Sequence, residues 1–118
     1  MGQLGLLLFA SPVQHHLPET SLGLAEAASR AGHRVTVFLL GDAVYCSSAA
    51  LSASDPEGVV RRFAALPPTV ALVNCSTCAR FRGLPDDGLI ANARNGTLED
   101  LVELWERSDR FLALTEGS

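Results

Sequence analysis

Two thiols stand three residues apart in the segment Cys75-Ser76-Thr77-Cys78. Residues at that spacing share one face of a helix, so the two sulfurs can meet. The pattern admits three chemistries. It can be a reactive thiol pair, although a thioredoxin-like motif would normally follow the first strand near the N-terminus. It can be half of a zinc site, completed by Cys46 with His15, His16 or His33. It can also be apolar packing, since buried cysteines commonly behave as small hydrophobes. The position of Cys75 favours the first. It follows the apolar run Val70–Val73 and precedes a short predicted helix over about 77–81. A sulfur at such a junction lies near unpaired backbone N–H groups and the positive end of the helix, which stabilises a thiolate. Arg80 and Arg82 add positive charge nearby in sequence. A depressed Cys75 pKa is therefore expected. Cys78, one turn further in, is expected to be the more covered thiol, able to resolve or tune what Cys75 carries.

Other groups that could assist lie at the ends of predicted strands. His15 and His16 follow the first apolar run, and either could reach Cys75 as a base. Asp42 follows the second run, as a supporting acid or a plain turn residue. His33, after a helix C-terminus, reads as a surface residue interacting with the helix dipole. All nine basic residues are arginine, which excludes lysine Schiff-base chemistry and the phosphate-loop lysine. The formal net charge of −4 argues against a nucleic-acid surface. No apolar run approaches the length of a membrane span, and the apolar opening lacks a basic leader segment. A cytoplasmic protein is expected, one in which three cysteines do not form a disulfide framework. Neither a cofactor nor a resident metal is expected.

The elements that position these residues follow from the apolar pattern. The 118 residues, 47% of them apolar, suit one domain over 1–118. Leu4–Ala10, Val35–Leu40 and Val70–Val73 read as strands buried on both faces, and Arg110–Thr115 as the last strand. Leu89–Ala93 reads as a short strand, and Asn95-Gly96-Thr97 as a turn. A helix capped by Thr20 or Ser21 is predicted to run to about Ala31, ended by Gly32 in a left-handed conformation. A loop of small residues around Cys46 is expected before a helix capped by Asp55 and ending near Ala65. A capping box at Thr97-Leu98-Glu99-Asp100 opens a final helix whose core face is expected to be Leu98, Leu101, Val102 and Trp105. Strands alternating with helices imply an α/β sandwich with a mostly parallel sheet. The segments Ser11–His16, Gly41–Cys46 and Asn74–Cys78 should then converge at the carboxyl ends of the strands.

The segment Asn74-Cys75-Ser76-Thr77-Cys78-Ala79-Arg80-Phe81-Arg82-Gly83-Leu84 resembles the cysteine segment of DsrE/TusD-like (DsrE/DsrF-like) proteins, in which a cysteine precedes an Arg-Gly pair at this distance. Ser11 to His33, Val37 to Tyr45 and Leu98 to Arg110 are similar to that family in the same order. The resemblance implies a three-layer α/β/α sandwich of the DsrEFH-like kind, with a mostly parallel five-stranded sheet. It further implies assembly into homo-trimers or homo-hexamers, and sulfur carried as a persulfide on Cys75 between donor and acceptor proteins of a relay. The alternative is a non-enzymatic assembly or metal-binding subunit of the same fold.

Overall fold

The computed structural model describes residues 2–13, 16–55 and 57–115. Five strands form one sheet in the order β4-β3-β2-β1-β5. They are β1 (Gln3–Phe9), β2 (Arg34–Leu39), β3 (Val70–Cys75), β4 (Ala93–Gly96) and β5 (Arg110–Thr115). All neighbouring pairs are parallel, with Leu6 opposite Val37 and Leu112, and Val37 opposite Leu72. Parallel strands require crossovers, and helices supply them. The helices are α1 (Leu17–Arg30), α2 (Ala49–Ser54), α3 (Val59–Ala64), α4 (Ser76–Phe81) and α5 (Leu98–Arg107). A 3-10 segment, Gly41–Ser47, follows β2.

Alternation along the strands divides the core in two. Leu6, Leu8, Val35, Val37, Leu39, Val70 and Leu72 face one side, where Leu22 and Ala25 of α1, Val44 and Cys46 of the 3-10 segment and Phe63 of α3 close over them. Phe38, Val73 and Cys75 face the other side, packed with Leu104 of α5 and flanked by Leu7, Leu40, Leu101 and Phe111. The expected three layers are therefore present. Among the described residues, no helix is long and apolar enough to cross a membrane.

Several boundaries differ from expectation. Helix α1 begins at Leu17 because Pro18 occupies its first turn; Ser21 Oγ donates to Pro18 O and does not cap. Gly32, at φ 92°, does end the helix in a left-handed conformation. The stretch expected to be a loop winds into the 3-10 segment and α2, which Ser48 caps by accepting the Leu51 N–H. Helix α3 starts after Gly58, not at Asp55. The fourth strand lies at Ala93–Gly96, so Asn95-Gly96 is strand and not turn. Gly96 sits opposite Cys75 in the ladder, and a Cβ there would come within 2.6 Å of Val73. The Thr97–Asp100 capping box is formed as read.

The expected core face of α5 is corrected most. Trp105 is 66% exposed, Leu98 58% and Val102 51%, whereas Leu104 is buried. The cause lies in β1. Gly5 lets α5 approach so closely that a Cβ would meet Ser108 Oγ at 2.5 Å and Leu104 Cγ at 3.1 Å. The helix therefore seats through Leu104 and Ser108, and the stripe of Leu98, Val102 and Trp105 turns outward.

Candidate functional site

Cys75 is the last residue of β3 and also the N-cap of α4. Its Sγ accepts the backbone N–H of Cys78 at 3.4 Å. The strand that delivers it is pinned one residue earlier. Asn74 is fully buried, and its Nδ2 donates to Ser47 Oγ at 2.7 Å, while Ser47 Oγ donates to Val44 O at 2.8 Å. This chain ties the end of β3 to the 3-10 segment after β2. The sequence carried a signal for it: Asn74 is a polar residue closing an apolar run. A buried amide without a partner is costly; the Nδ2 of Asn74 is bonded, while its buried Oδ1 has no partner among the described residues.

The opposite arm of the site is Arg82, at the C-cap of α4. Its Nε donates to Asp42 Oδ1 at 2.7 Å, and its Nη1 donates to the Cys78 carbonyl at 3.1 Å. Arg82 thus spans from the turn after β2 to the helix that holds both cysteines. The bond to Asp42 raises the Arg82 pKa further, keeping the guanidinium charged. Asp42 and Arg82 thus form a brace against the helix that follows Cys75.

Two expectations about the thiols are overturned. Cys75 is only 4% exposed, while Cys78 is partly exposed and touches both core clusters. Cys75 is the more covered thiol, because its side chain turns down onto Val73 and Leu104 at the sheet surface. Its pKa is raised, not depressed. Burial is the largest cause, the neighbouring Cys78 thiol adds to it, and the backbone N–H groups of Cys78 and Thr77 only partly oppose it. Cys46 is wholly buried in the other core, and burial pushes its thiol up to about 12.

The remaining candidates do not gather here. Arg80 lines an open groove with Ser76, Asp86, Asp87 and Arg94, and no hydrogen bond joins it to the cysteines. His16 is exposed at the start of α1, where its carbonyl accepts from Thr20. His15 lies outside the described residues. The loop after β1 leads Pro12 and Val13 towards Leu51 and Val59, on the opposite side of the sheet from Leu104. Of the three segments expected to converge, the second and third thus meet through Asp42 and Arg82, while Pro12 and Val13 of the first turn aside. His33 Nδ1 accepts the Gly2 N–H at 2.9 Å, at the amino end of β2. Among the described residues, no three His, Cys, Asp or Glu side chains converge as a metal site would require.

The model of the DsrE/DsrF-like family matches residues 4–114 of this parallel five-stranded chain, which belongs to that family. It is similar to the uncharacterized protein MJ0989 of Methanocaldococcus jannaschii, 26% identical over 108 residues, covering 91% of this chain and 95% of that protein. Among solved structures it resembles the ychN protein of E. coli, with a TM-score of 0.86 and 23% identity over 97% of this chain and all of that one. A second likeness is to a protein of unknown function, BT1422 of Bacteroides thetaiotaomicron, with a TM-score of 0.67, 15% identity, and 96% and 95% of the two chains covered. These structures share the fold.

Proposed function

We propose that this protein is a cytoplasmic sulfur carrier, holding sulfur as a persulfide on Cys75 between a donor and an acceptor protein. Membership of the DsrE/DsrF-like family supports a role connected with sulfur relay. The observation that carries the reading to Cys75 is its place: a thiol whose sulfur accepts a backbone N–H, inside an apolar cluster, one turn from a second thiol. The chemistry is an exchange. A thiolate attacks the outer sulfur of the donor's persulfide, a new S–S bond forms on the carrier, and the donor leaves as a thiolate. The terminal sulfur is anionic, and an N–H donor beside it favours that charge. The apolar surroundings keep water and reductants from it.

Self-association belongs to the same reading. Leu98, Val102 and Trp105 form a continuous exposed apolar stripe on α5, beside the cluster that holds Cys75. A patch of this kind on so small a chain marks an interaction surface. A homo-oligomer, trimer or hexamer, would cover it.

The test is the intact mass after incubation with a persulfide donor. A gain of about 32 Da, removed by reduction, is expected for wild type. The long-lived adduct should disappear in Cys75→Ala, a change that keeps the site apolar. No adduct on wild type, or an adduct that survives the loss of Cys75 unchanged, overturns the carrier reading.

A further inference from the structure

We propose that Cys78 is the port through which sulfur enters and leaves, and that Cys75 is the interior store, so that sulfur passes between two thiols of one chain. This rests on the carrier reading above and assigns the order of events within it. Three observations carry it. Cys75 is 4% exposed and enclosed by Phe38, Val73 and Leu104, so a folded donor protein has little access to its sulfur. Cys78 is partly exposed and packs against the same cluster, so it touches both the outside and the store. The two residues are three apart around the start of α4, with the Cys78 N–H on the Cys75 sulfur, which keeps the thiols within reach of each other. Thiol exchange is limited by access as well as by ionisation.

The steps balance without an oxidant or reductant. The Cys78 thiolate attacks the outer sulfur of the donor's persulfide. The donor's S–S bond breaks, its cysteine leaves as a thiolate, and Cys78 holds the sulfur. Cys75 then gives up its proton and attacks that outer sulfur. The bond between Cys78 Sγ and the outer sulfur breaks, a bond from Cys75 Sγ forms, and the proton passes to the departing Cys78 thiolate. Unloading runs the same steps in reverse. Each step exchanges one S–S bond for another.

The experiment follows sulfur by rapid alkylation and peptide mass mapping over time. Two donors are used: a cysteine desulfurase carrying its own persulfide, and the small molecule glutathione persulfide. In wild type the label should appear first on Cys78 and move to Cys75. Cys75→Ala should still take sulfur, on Cys78, and lose it quickly. Cys78→Ser and Cys78→Ala should load from the protein donor at least about tenfold more slowly, while the small donor restores loading of Cys75. The port is overturned if the Cys78 variants load from the protein donor at the wild-type rate. It is also overturned if wild type ends as a Cys75–Cys78 disulfide with sulfide released, because attack has then fallen on the inner sulfur and nothing is stored. The first result leaves the carrier reading intact, because Cys75 still gains the adduct; the second leaves no stored adduct and so counts against the carrier reading as well, which a failure of the port alone does not.

Discussion

The two faces of the sheet are built to different standards of closure. On one, Leu6, Leu8, Val37 and Leu72 are sealed by α1, α3 and the 3-10 segment, with Phe63, Leu22 and Cys46 fully buried. On the other, among the described residues, α5 and the edge of α4 at Cys78 cover the strands. Ala71 of β3 and Phe9 of β1 remain exposed, and a polar cavity of about 310 Å3 opens beside Gln3, Arg34, Thr36 and Arg107. The closed face holds the fold together. The open face holds the cysteine pair and the uncovered stripe of α5. Chemistry and contact with other molecules need surface that a sealed core cannot offer, and this molecule keeps the two on opposite sides of one layer.

Removing a large side chain from each face should separate these roles. Phe63→Ala, on the closed face, is expected to lower stability by about 3–5 kcal/mol in chemical denaturation, the cost of deleting a buried aromatic. Trp105→Ala, on the open face, should cost less than about 0.5 kcal/mol in the same titration, run for all variants at a concentration low enough that the chain is monomeric. Comparable losses from the two variants would erase the distinction.

Assembly gives the next test. Trp105→Glu places a charge in the middle of the exposed stripe. Wild type is expected to sediment as an oligomer at micromolar concentration, and the variant as a monomer with an unchanged far-ultraviolet circular dichroism spectrum. A wild-type monomer, or an oligomer indifferent to the charge, would show that the open face is not covered by further copies.

The last comparison concerns the thiols themselves. Cys46 on the closed face has a folded-state pKa raised from 9.0 to about 12. Between those values the unfolded chain loses its proton while the folded chain keeps it. Its contribution is thus complete below the unfolded value and is lost as pH climbs towards the folded one. Stability should decline across that alkaline window, and Cys46→Ala should decline less steeply. Cys75 is raised as well, so its alkylation should accelerate only above the pH at which an ordinary thiol reacts. An alkylation profile at or below the ordinary one would mean that the open face shields Cys75 less than its packing implies.

The sheet was legible because three apolar runs, bounded by Gly, Pro and Asn, are short enough to read as strands buried in an α/β layer and not as helices. The capping box at Thr97 and the left-handed Gly32 were legible because each depends on neighbours in sequence. The orientation of α5 was not. Its apolar residues cover more of the helix than the sheet contact uses, and the choice among them is made by Gly5, about a hundred residues away. The winding of 41–54 was hidden for another reason. Ala43, Ser47, Ser48 and Ser52 are buried by close packing of small side chains, which leaves no periodic apolar signature. At the site, the cysteine pair, Asp42 and Arg82 could be named from type and spacing. That Arg82 turns to Asp42 and Arg80 to an open groove depends on which way a six-residue helix leaves its strand. The relative cover of the thiols is not legible in the sequence, because depth along α4 is not depth in the protein; the sheet surface lies at the strand end of that helix, not further along it.

One atom in this site has two employments. The Sγ of Cys75 is where cargo would be attached, and it is also the acceptor that finishes the first turn of α4. A second sulfur bonded to it would alter the size and charge of that acceptor, and the Cys78 amide would have to adjust. Arg82 grips the Cys78 carbonyl and Asp42 at once, so the adjustment would reach the turn after β2. An empty carrier and a full one would then differ in backbone shape as well as in mass, and a docking protein could tell them apart without touching the sulfur.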